Sequence, residues 1–460
     1  MRVAVIGSGY VGVVTGACLA AKGHDVTCLD TRQEVVDHLN RGEPHIHEAG
    51  LPSLLGKAVA DGVFRAELMS PERLFGADIV LVAVGTPTTD GGRIDLTQIE
   101  DASRSVGAYL RGTPGFLSVV VKSTVVPGTT DTFVRGIIES ESGLRVGEFG
   151  LGMNPEFLRE GNGVADFMEP DRIVLGHEDT ETLRCLRELY MPWDCEKLEV
   201  NSRTAEMIKY ANNCLLATQI SAVNELANIA AAIGSVDIVD VMQGVYLDGR
   251  WNPVLPGGKR VSPGVLTYLA PGCGFGGSCF PKDVQAMRGA AEDAGVTPHL
   301  LEAVLEINRA QPLQVVGLLE RGLGDLSGKR ILLLGLAFKP GTDDVRESVS
   351  LRIIESLDQA AAEVVLHDPV ASRNCQRLYP VSKRRRYVSD WRDEVPAADA
   401  VVVATRWDDY FDLVRQTDLN HALNGKVLVD ARRMFAAEQF PDAQYLAIGR
   451  TISLETAVNR

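Results

Sequence analysis

The sequence lacks an excess of positive charge and has no long apolar run. Its 460 residues include 46 Lys and Arg against 61 Asp and Glu, so the formal net charge at pH 7 is −15. This balance argues against a broad nucleic-acid-binding surface. No segment approaches the roughly 20 apolar residues that a membrane-spanning helix needs. We therefore expect neither nucleic acid nor membrane among the partners, and any anionic ligand must be bound by local cations or helix N-termini.

Clustered metal ligands and paired cysteines are also missing. The eight cysteines form no CxxC pair, and the eight histidines show no metal-ligand spacing. A disulfide framework and a structural zinc site are therefore not expected, and we predict no bound metal. The first apolar run begins at Arg2, which leaves no room for a signal peptide. We accordingly expect a cytoplasmic protein.

Short apolar runs alternate with helical stretches near both ends of the chain. Such runs are typical of parallel strands that are covered on both faces of a sheet. They predict two doubly wound, Rossmann-like domains of the α/β class. The predicted strands are residues 2–6, 25–29, 78–84, 117–121 and 172–175, and then 330–334, 363–366, 399–404 and 426–429.

A long helix is predicted between the two strand-rich regions. Residues 203–233 contain neither Pro nor Gly, and a helix of this length spans roughly 45 Å. Ile208, Leu215, Ala222 and Ile229 recur every seven residues, so one apolar stripe runs along it. A helix of this kind suits a spine between two domains or the seam of a homodimer or larger homo-oligomer.

A glycine-rich motif follows the first predicted strand. Its glycines, Gly7, Gly9 and Gly12, permit a tight turn and a close approach of the backbone to a pyrophosphate at a helix N-terminus. Asp30 ends the second strand at the distance expected for a carboxylate that binds a ribose diol. The pattern therefore predicts a dinucleotide site that prefers NAD to NADP, although Arg32 lies close by. The alternative is a glycine-rich structural turn.

Small hydroxylic residues follow two further strands. Gly85-Thr86-Pro87 comes after residues 78–84, and Lys122-Ser123-Thr124 comes after residues 117–121. Ligands of open α/β sheets bind at the carboxyl ends of strands, so both motifs fit a cofactor crevice. Ordinary Ser and Thr turn chemistry explains either motif equally well when it is taken alone.

Two groups of charged residues are candidates for acid–base and oxyanion chemistry. Glu156 and Glu160 lie four apart in a segment that suits either a general acid or base or a solvated helix start. Lys209 and Asn213 share one face of the long helix. Facing a cleft, that pair would stabilise an oxyanion, whereas on an exposed face it would carry no function.

The most specific signal is the run Gly274-Phe275-Gly276-Gly277-Ser278-Cys279-Phe280-Pro281-Lys282-Asp283. Cys279 follows the glycines and is a candidate nucleophile, with Lys282 placed to lower the pKa of its thiol and Asp283 to position or deprotonate water. A buried cysteine beside a glycine-rich turn is the alternative. The start of the second domain lacks a glycine fingerprint, so we expect no second dinucleotide there. Cations near its strand ends are candidates for holding phosphates: Lys339, Arg346, Arg432 and Arg433.

Taken together, these motifs resemble the UDP-glucose/GDP-mannose dehydrogenase family over nearly the whole chain. The matching segments are residues 7–12, 85–87, 122–124, 154–161, 209–213, 274–283, 338–348 and 430–435. The resemblance implies an NAD-dependent, four-electron oxidation of a nucleotide sugar at its 6-hydroxyl to the uronic acid. It further implies a cysteine-bound thiohemiacetal and thioester, and a role in polysaccharide biosynthesis.

The resemblance also implies roles for individual residues. Cys279 is then the nucleophile and Asp283 its acid–base partner, while Lys209 and Asn213 stabilise the oxyanion. Glu156 and Thr124 hold the hydrolytic water. The implied cofactor contacts are Gly7, Gly9, Tyr10, Val11, Gly12, Asp30, Gly85, Thr86, Pro87, Thr124, Lys282 and Arg346. The implied substrate contacts are Phe157, Leu158, Glu160, Lys209, Asn213, Lys259, Arg260, Tyr268, Gly276, Phe338, Lys339 and Arg432.

The implied organisation has three parts: an NAD-binding domain (1–200), a central helical domain with the cysteine loop and the dimer interface (201–310), and a UDP-binding domain (311–460). One position departs from the family, since Pro263 stands where many UDP-glucose enzymes carry an Arg. Residues 154–171 resemble the UDP-glucose branch, which favours conversion of UDP-glucose to UDP-glucuronate. Alternatives are dTDP-glucose, GDP-mannose or another nucleotide sugar as substrate, a two-electron 2-hydroxy-acid dehydrogenase, and a non-catalytic NAD sensor.

Overall fold

The computed structural model describes residues 1–112 and 115–450, which form two compact units. Unit 1 comprises Met1–Asn212 with Gly289–Val296. Unit 2 comprises Asn213–Arg288 with the described residues from Thr297 onward. The three-part division at residues 200 and 310 stays a prediction.

Unit 1 is built on an eight-stranded sheet with the strand order β3-β2-β1-β4-β5-β6-β7-β8. Neighbouring strands are parallel except β6 and β7, which pair antiparallel. The strands are β1 (Arg2–Ile6), β2 (Asp25–Asp30), β3 (Phe64–Leu68), β4 (Ile79–Val82), β5 (Ser118–Val121), β6 (Gly150–Met153), β7 (Arg172–His177) and β8 (Glu196–Val200).

Helices of unit 1 connect these strands and cover the sheet. Every residue of β4 and β5 is buried, which explains why their sequences are uniformly apolar rather than alternating. The helices are α1 (Tyr10–Ala21), α2 (Gln33–Asn40), α3 (Leu51–Ala60), α4 (Thr97–Gly112), α5 (Arg135–Ser142), α6 (Gly163–Met168) and α7 (Thr180–Leu189), with a π-helix at Thr129–Val134 ahead of α5.

Three strands of unit 1 were not predicted from the sequence. Strands β3 and β8 are the edges of the sheet, and their polar sequences show no buried-strand pattern. Strand β6 contains two glycines, which weaken a strand signal. The structure explains one of them, because a Cβ atom at Gly152 would lie 2.6 Å from the carbonyl oxygen of Gly176 on β7.

Unit 2 contains a six-stranded parallel sheet with the order β11-β10-β9-β12-β13-β14. The strands are β9 (Arg330–Leu334), β10 (Glu363–His367), β11 (Arg385–Tyr387), β12 (Ala400–Val403), β13 (Val427–Asp430) and β14 (Gln444–Ala447). The prediction of two Rossmann-like parallel-sheet domains is confirmed. The two unpredicted strands, β11 and β14, are again the sheet edges.

The remaining helices include the long helix α8 (Ser202–Ile233), which begins one residue before the predicted start. Residues of α8 up to Asn212 belong to unit 1 and those from Asn213 to unit 2. The others are α9 (Ile238–Tyr246), α10 (Phe280–Asp293), α11 (His299–Leu323), α12 (Val349–Gln359), α13 (Ser372–Leu378), α14 (Asp412–Arg415) and α15 (Thr417–Ala422). None of the helices within residues 1–112 and 115–450 is long and apolar enough to cross a membrane.

Candidate active site

The turn between β1 and α1 has the geometry that a dinucleotide needs. Gly7 has a φ of 93°, in the region that favours glycine. A Cβ atom at Gly12 would lie 1.9 Å from the carbonyl oxygen of Gly7, so α1 approaches the turn only because residue 12 has no side chain. A Cβ atom at Gly9 would meet no atom within 4 Å. This open space before the N-terminus of α1 fits a pyrophosphate.

Asp30 lies at the end of β2 with its side chain buried. One carboxylate oxygen accepts a hydrogen bond from the backbone N–H of Ser8 at 3.0 Å. The other accepts from the backbone N–H and the Nε of Arg32, at 3.0 and 3.2 Å. Asp30 thus connects the glycine turn to β2, and it also holds the guanidinium of Arg32, whose side chain is half exposed.

The two hydroxylic motifs meet at the ends of β4 and β5. The hydroxyl of Thr86 donates to the carbonyl oxygen of Thr124 at 2.9 Å, and the hydroxyl of Ser123 donates to that of Val84 at 2.7 Å. The backbone N–H of Gly85 donates to Gln98 at 3.1 Å. The structure therefore brings together two segments that the sequence placed only at equivalent strand ends.

A buried ion pair joins Glu156 and Lys209 in unit 1. The Lys209 Nζ lies 2.9 Å from one carboxylate oxygen of Glu156, and the backbone N–H of Leu158 donates to the other at 2.6 Å. Both side chains are less than a tenth exposed. Burial alone would raise the pKa of Glu156, but the charge and hydrogen bond of Lys209 hold it below its ordinary value. Glu156 is therefore ionised at neutral pH.

Lys122, quoted within a sequence motif but given no role there, is a second buried cation near this pair. Its Nζ donates to the side-chain oxygen of Asn154 at 2.8 Å, and Asn154 donates in turn to the carbonyl oxygen of Val174. Burial lowers the pKa of Lys122 to about 8, although the charge of Glu156 acts in the opposite direction. The signal in the sequence was a lysine directly after a buried strand.

Cys279 lies in unit 2, one residue before the start of α10, and its side chain is half-buried. Its Sγ is 3.6 Å from the hydroxyl oxygen of Ser278. The backbone N–H of Asp283 donates to the carbonyl oxygen of Cys279 at 2.8 Å. The thiol thus lies at a helix N-terminus, which stabilises negative charge. Six of the other seven cysteines are buried.

Asp283 is the hub of the polar contacts in this part of unit 2. Its side chain is 1% exposed and accepts hydrogen bonds from Asn213 Nδ2 and Lys282 Nζ, both at 2.6 Å. The structure therefore pairs Lys282 with Asp283, where the sequence suggested an action on the thiol. Asn213 and Asp283, predicted from distant motifs, are in direct contact.

The loop before Cys279 is held by side chains that sequence reasoning missed. Asn224 accepts from the backbone N–H of Gly272 at 2.9 Å, and Gln311 donates to the Gly272 carbonyl at 2.8 Å. Asn308 accepts from the N–H of Phe275 and donates to its carbonyl, at 2.8 and 3.0 Å. Amides at helix-interior positions were the only signal. These residues fix the backbone that carries the thiol.

The predicted substrate residue Arg432 contacts the same loop. Its Nη1 donates to the carbonyl oxygen of Gly274 at 2.8 Å, and its Nε donates to that of Ala404 at 2.7 Å. Arg433, a second candidate for phosphate, instead forms a 2.8 Å ion pair with Asp237. The guanidinium of Arg432 thus helps to position the cysteine loop.

The glycines of the cysteine loop allow a close contact with residues 338–347. A Cβ atom at Gly276 would lie 2.2 Å from the carbonyl oxygen of Glu347, and one at Gly277 would lie 2.7 Å from the ring of Phe338. The N–H of Gly277 donates to the carbonyl oxygen of Arg346 at 2.9 Å. Of the predicted set, Gly276, Phe338 and Arg346 therefore lie together.

Other predicted ligand residues are more exposed or serve local contacts. The ring of Tyr268 lies 6.2 Å from that of Phe280, and the ammonium of Lys339 lies 5.7 Å from the ring of Phe338. Arg260 donates to the carbonyl oxygens of Leu247 and Asn252 at 3.1 and 3.2 Å, and both Arg260 and Lys259 are exposed. Of the remaining members, Pro87 is exposed, whereas Val11, Phe157, Leu158 and Glu160 are half-buried.

Comparison with known proteins finds similar sequences over nearly the whole chain. The NAD binding, central and UDP binding domains of the UDP-glucose/GDP-mannose dehydrogenase family match residues 1–194, 203–310 and 332–437. The UDP-glucose 6-dehydrogenase AglM of Haloferax volcanii is 40% identical over 97% of this chain and 100% of its own. The UDP-glucose 6-dehydrogenase of Pseudomonas aeruginosa is 39% identical, with 98% of each chain covered.

A solved structure is similar over the same extent. The UDP-glucose dehydrogenase of Pyrobaculum islandicum has a TM-score of 0.88 and 37% sequence identity, with 98% of each chain covered. The matched domain carries NAD as its cofactor, in agreement with the open glycine turn described above. The chain belongs to the UDP-glucose/GDP-mannose dehydrogenase family.

Proposed function

We propose that this protein oxidises UDP-glucose to UDP-glucuronate, with Cys279 as a covalent nucleophile. The observation that carries the proposal is a half-buried thiol at a helix N-terminus in unit 2. Unit 1 separately holds a buried, ionised carboxylate, Glu156. Similar proteins at 33–40% identity act on UDP-glucose by name, which favours this substrate over dTDP-glucose or GDP-mannose.

The overall reaction consumes the 6-hydroxymethyl group, two NAD and one water, and yields the carboxylate, two NADH and three protons. NAD, when bound, supplies the hydride acceptor for both oxidations. Gly7, Gly9, Gly12 and Asp30 would hold it, with the backbone of Tyr10 and Val11 and the strand-end residues Gly85, Thr86 and Thr124. These are the residues that surround the open turn and the crevice.

Cys279 retains the intermediate between the two oxidations. Its thiolate adds to C6 of the aldehyde, the C–S bond forms, and the carbonyl oxygen takes up a proton to give a thiohemiacetal. Oxidation of that carbon leaves a thioester. A free aldehyde would hydrate or diffuse away, whereas the thioester stays bound until water cleaves it.

Glu156 is the base for that hydrolysis. Because its pKa is held below the ordinary value, it is unprotonated at neutral pH and takes a proton from the attacking water. The water oxygen bonds to C6, the C–S bond breaks, and the thiolate of Cys279 is regenerated. We assign Lys209 and Asn213, which lie on successive turns of α8, to the negative charge that develops on the C6 oxygen.

Lys259 is the best candidate for the cation that replaces the family's Arg before the cysteine loop. Both residues are exposed, but one nitrogen of Arg260 donates to two backbone carbonyl oxygens, those of Leu247 and Asn252. We propose that Lys259 contacts the nucleotide handle and that Arg260 shapes the loop.

A direct assay tests the proposed function. Purified protein is mixed with NAD and with UDP-glucose, dTDP-glucose or GDP-mannose in separate reactions, and NADH is followed by absorbance. We expect two NADH per UDP-glucose and much slower reactions with the other sugars. One NADH per sugar indicates a two-electron dehydrogenase, and NAD binding without NADH formation indicates a sensor. Either result contradicts the proposal.

We also propose a cytoplasmic homodimer or larger homo-oligomer that associates through α8. Leu215, Leu226, Ile229 and Ile233 are between 48% and 73% exposed. Their spacing, with Ala222 between them, follows two rows of a seven-residue repeat, as in helices that pack side by side. Light scattering at micromolar concentration should give at least twice the 49.7 kDa of one chain. Leu226→Glu with Ile229→Glu should shift this mass towards the monomer, whereas Glu225→Gln on the same helix should not.

A further inference from the structure

A buried carboxylate outside the proposed machinery connects two parts of unit 1. Glu48 lies between α2 and α3, and its side chain is 4% exposed. One of its oxygens accepts from the hydroxyl of Tyr10 at 2.5 Å and from the backbone N–H of Gly161 at 2.8 Å. The other lies 3.4 Å from the N–H of Val164. A charged acceptor with several donors is a strong restraint on their positions.

The donors belong to segments with different proposed tasks. Tyr10 is the first residue of α1, directly after the glycine turn that would hold the cofactor. Gly161 ends the segment that begins with Asn154 and carries Glu156 and Glu160. Glu48 is 38 residues from Tyr10 and 113 residues from Gly161 along the chain. The two segments are therefore linked through a side chain that belongs to neither.

Packing around the Tyr10 hydroxyl supports a specific contact. A Cβ atom at Gly163 would lie 2.4 Å from this hydroxyl and 3.1 Å from the carbon that bears it, so α6 starts here only because residue 163 is glycine. Burial, the hydrogen bond to Glu48 and the charges of Glu48, Glu160 and Glu156 all raise the pKa of Tyr10. Tyr10 therefore remains a hydrogen-bond donor throughout the physiological pH range.

We infer that Glu48 is a positioning residue that couples cofactor binding to sugar binding, by holding the start of α1 and the segment 156–161 in one arrangement. The inference rests on the proposed function, since it assumes that NAD and UDP-glucose bind to these two segments. A ligand that fixes one segment then restrains the other, and linkage requires the effect to be reciprocal.

The test measures binding of NADH and UDP-glucose, a pair that does not react. The dissociation constant of NADH is determined by calorimetry with and without saturating UDP-glucose, and the ratio of the two values is the coupling. Variants are Tyr10→Phe, Glu48→Gln and the double variant. Tyr379→Phe and Glu355→Gln are matched controls, because they form a Tyr–Glu hydrogen bond in unit 2. Steady-state kinetics gives kcat and the KM for UDP-glucose.

We expect a wild-type ratio that differs from one, and a ratio near one in Tyr10→Phe and Glu48→Gln. The KM for UDP-glucose should rise about tenfold in each, as expected for loss of a hydrogen bond to a charged group. The double variant should be no worse than the worse single variant, because both remove the same contact. The controls should match the wild type.

A wild-type ratio of one overturns the inference. An unchanged ratio of NADH dissociation constants together with an unchanged KM for UDP-glucose in Tyr10→Phe overturns it as well. Because Tyr10→Phe removes only one oxygen, it tests the inference even if Glu48→Gln fails to fold. These outcomes are separate from failure of the proposed function, which would appear as an absence of NADH from UDP-glucose in the wild type.

Discussion

The two sheets of this protein use the same first turn, in almost the same geometry. Gly7 and Gly335 follow the first strand of their units with φ values of 93° and 96°. The N–H of each donates to a carbonyl oxygen on the second strand, Leu29 at 2.8 Å and His367 at 2.9 Å. Strand order around the turn is also equivalent, because β1 and β9 each lie between the second and fourth strands of their unit.

The carboxylates beside these turns have different surroundings. Asp30 accepts hydrogen bonds from the backbone N–H of Ser8 and from the backbone N–H and Nε of Arg32. Asp368 accepts from four backbone N–H groups and from the indole of Trp407, at 2.8 to 3.1 Å. Asp368 therefore holds its own loop and the turn after β9 in place. Asp30 accepts fewer backbone hydrogen bonds, and it is the carboxylate that we propose contacts the ribose.

The chain after each turn differs as well. Helix α1 begins at Tyr10, three residues after Gly7, so its N-terminus is available to a phosphate. Helix α12 begins at Val349, and the residues between Gly335 and Val349 pack on the cysteine loop instead. One fold thus presents an open helix N-terminus in unit 1, where we propose that the cofactor binds, and in unit 2 supports the loop that carries Cys279, the proposed nucleophile. The predictions below test this division.

Cys279→Ser should give the largest effect. Formation of the sugar acid should fall more than about a thousandfold, because loss of the nucleophile exceeds the 10²–10³ typical of losing one oxyanion donor. The dissociation constant of NAD, which depends on unit 1, should stay within about twofold of the wild type. The matched control is Cys195→Ser, at the other half-buried cysteine. Acid formation by Cys279→Ser at a near-normal rate would remove the covalent mechanism.

Lys209→Met and Asn213→Ala each break one buried polar pair. Lys209 pairs with Glu156 in unit 1, and Asn213 pairs with Asp283 in unit 2. Lys209→Met should slow turnover about 10²–10³-fold and lower the free energy of unfolding by about 3–5 kcal/mol, since it leaves Glu156 charged and buried. Asn213→Ala should cost about 1–3 kcal/mol, because Asp283 keeps Lys282 as a partner. Denaturant unfolding measures both. The double variant Lys209→Met with Glu156→Gln should recover stability without recovering activity.

Asp30→Ala and Asp368→Ala test the different roles of the two carboxylates, cofactor binding and loop stabilisation. Asp30→Ala should weaken NAD binding about tenfold to a hundredfold and narrow the preference for NAD over NADP. It should lower the free energy of unfolding by about 1–3 kcal/mol, because the buried N–H of Ser8 loses its acceptor. Asp368→Ala should lower the free energy of unfolding by more than about 3 kcal/mol, because several buried donors lose their acceptor. Its affinity for NAD should not change. Equal turnover of NAD and NADP by the wild type would show that the assignment of Asp30 to the ribose is wrong.

Buried carboxylates outside the proposed site should affect stability alone, as a pH dependence of the free energy of unfolding. Burial raises the pKa of Glu206 to about 7, although the N–H groups of Gly128 and Thr130 donate to it at 2.6 and 2.8 Å. Folding thus favours its protonated form. That contribution is complete below pH 4.5, the ordinary value, and is lost as pH rises through about 7.

Relative to Glu206→Gln, the wild type should therefore lose up to about 3 kcal/mol of stability over this pH range. Unfolding at several pH values measures the difference. Glu225→Gln, an exposed change on the same helix, should show no such trend. In unit 2, Asp430 is the comparable group, because burial raises its pKa as well. A flat difference for Glu206→Gln would contradict its raised pKa.

Much of the fold was predictable because buried parallel strands have uniformly apolar sequences. The interior strands of both sheets other than β6, and helix α8, were found within a few residues of their ends. The edge strands β3, β8 and β11 were missed because half-exposed strands have polar sequences. Strand β14 is mostly buried, but its apolar run in the sequence is only a few residues long. Strand β6 was missed because its two glycines carry no strand signal. One of them, Gly152, allows the close approach of β7.

The candidate site was predictable where short motifs carry the chemistry, as for Cys279 and the glycine turn. The contacts that support those motifs were not. Glu48 and Asn308 act through backbone groups far away in the sequence, and no local pattern marks a side chain that bonds to a distant N–H or carbonyl. The partner of Lys282 could not be predicted from the sequence either. Lys282 follows the thiol closely in the sequence, but in the structure its ammonium group donates to Asp283.

The most direct test of the covalent mechanism is intact-protein mass spectrometry of Glu156→Gln after reaction with UDP-glucose and NAD. This variant keeps the nucleophile but lacks the base that we assign to hydrolysis. We expect a population with the mass of the sugar nucleotide added at Cys279, which disappears when Cys279 is also replaced by Ala. Slow turnover with no added mass at any time point would contradict the thioester at Cys279.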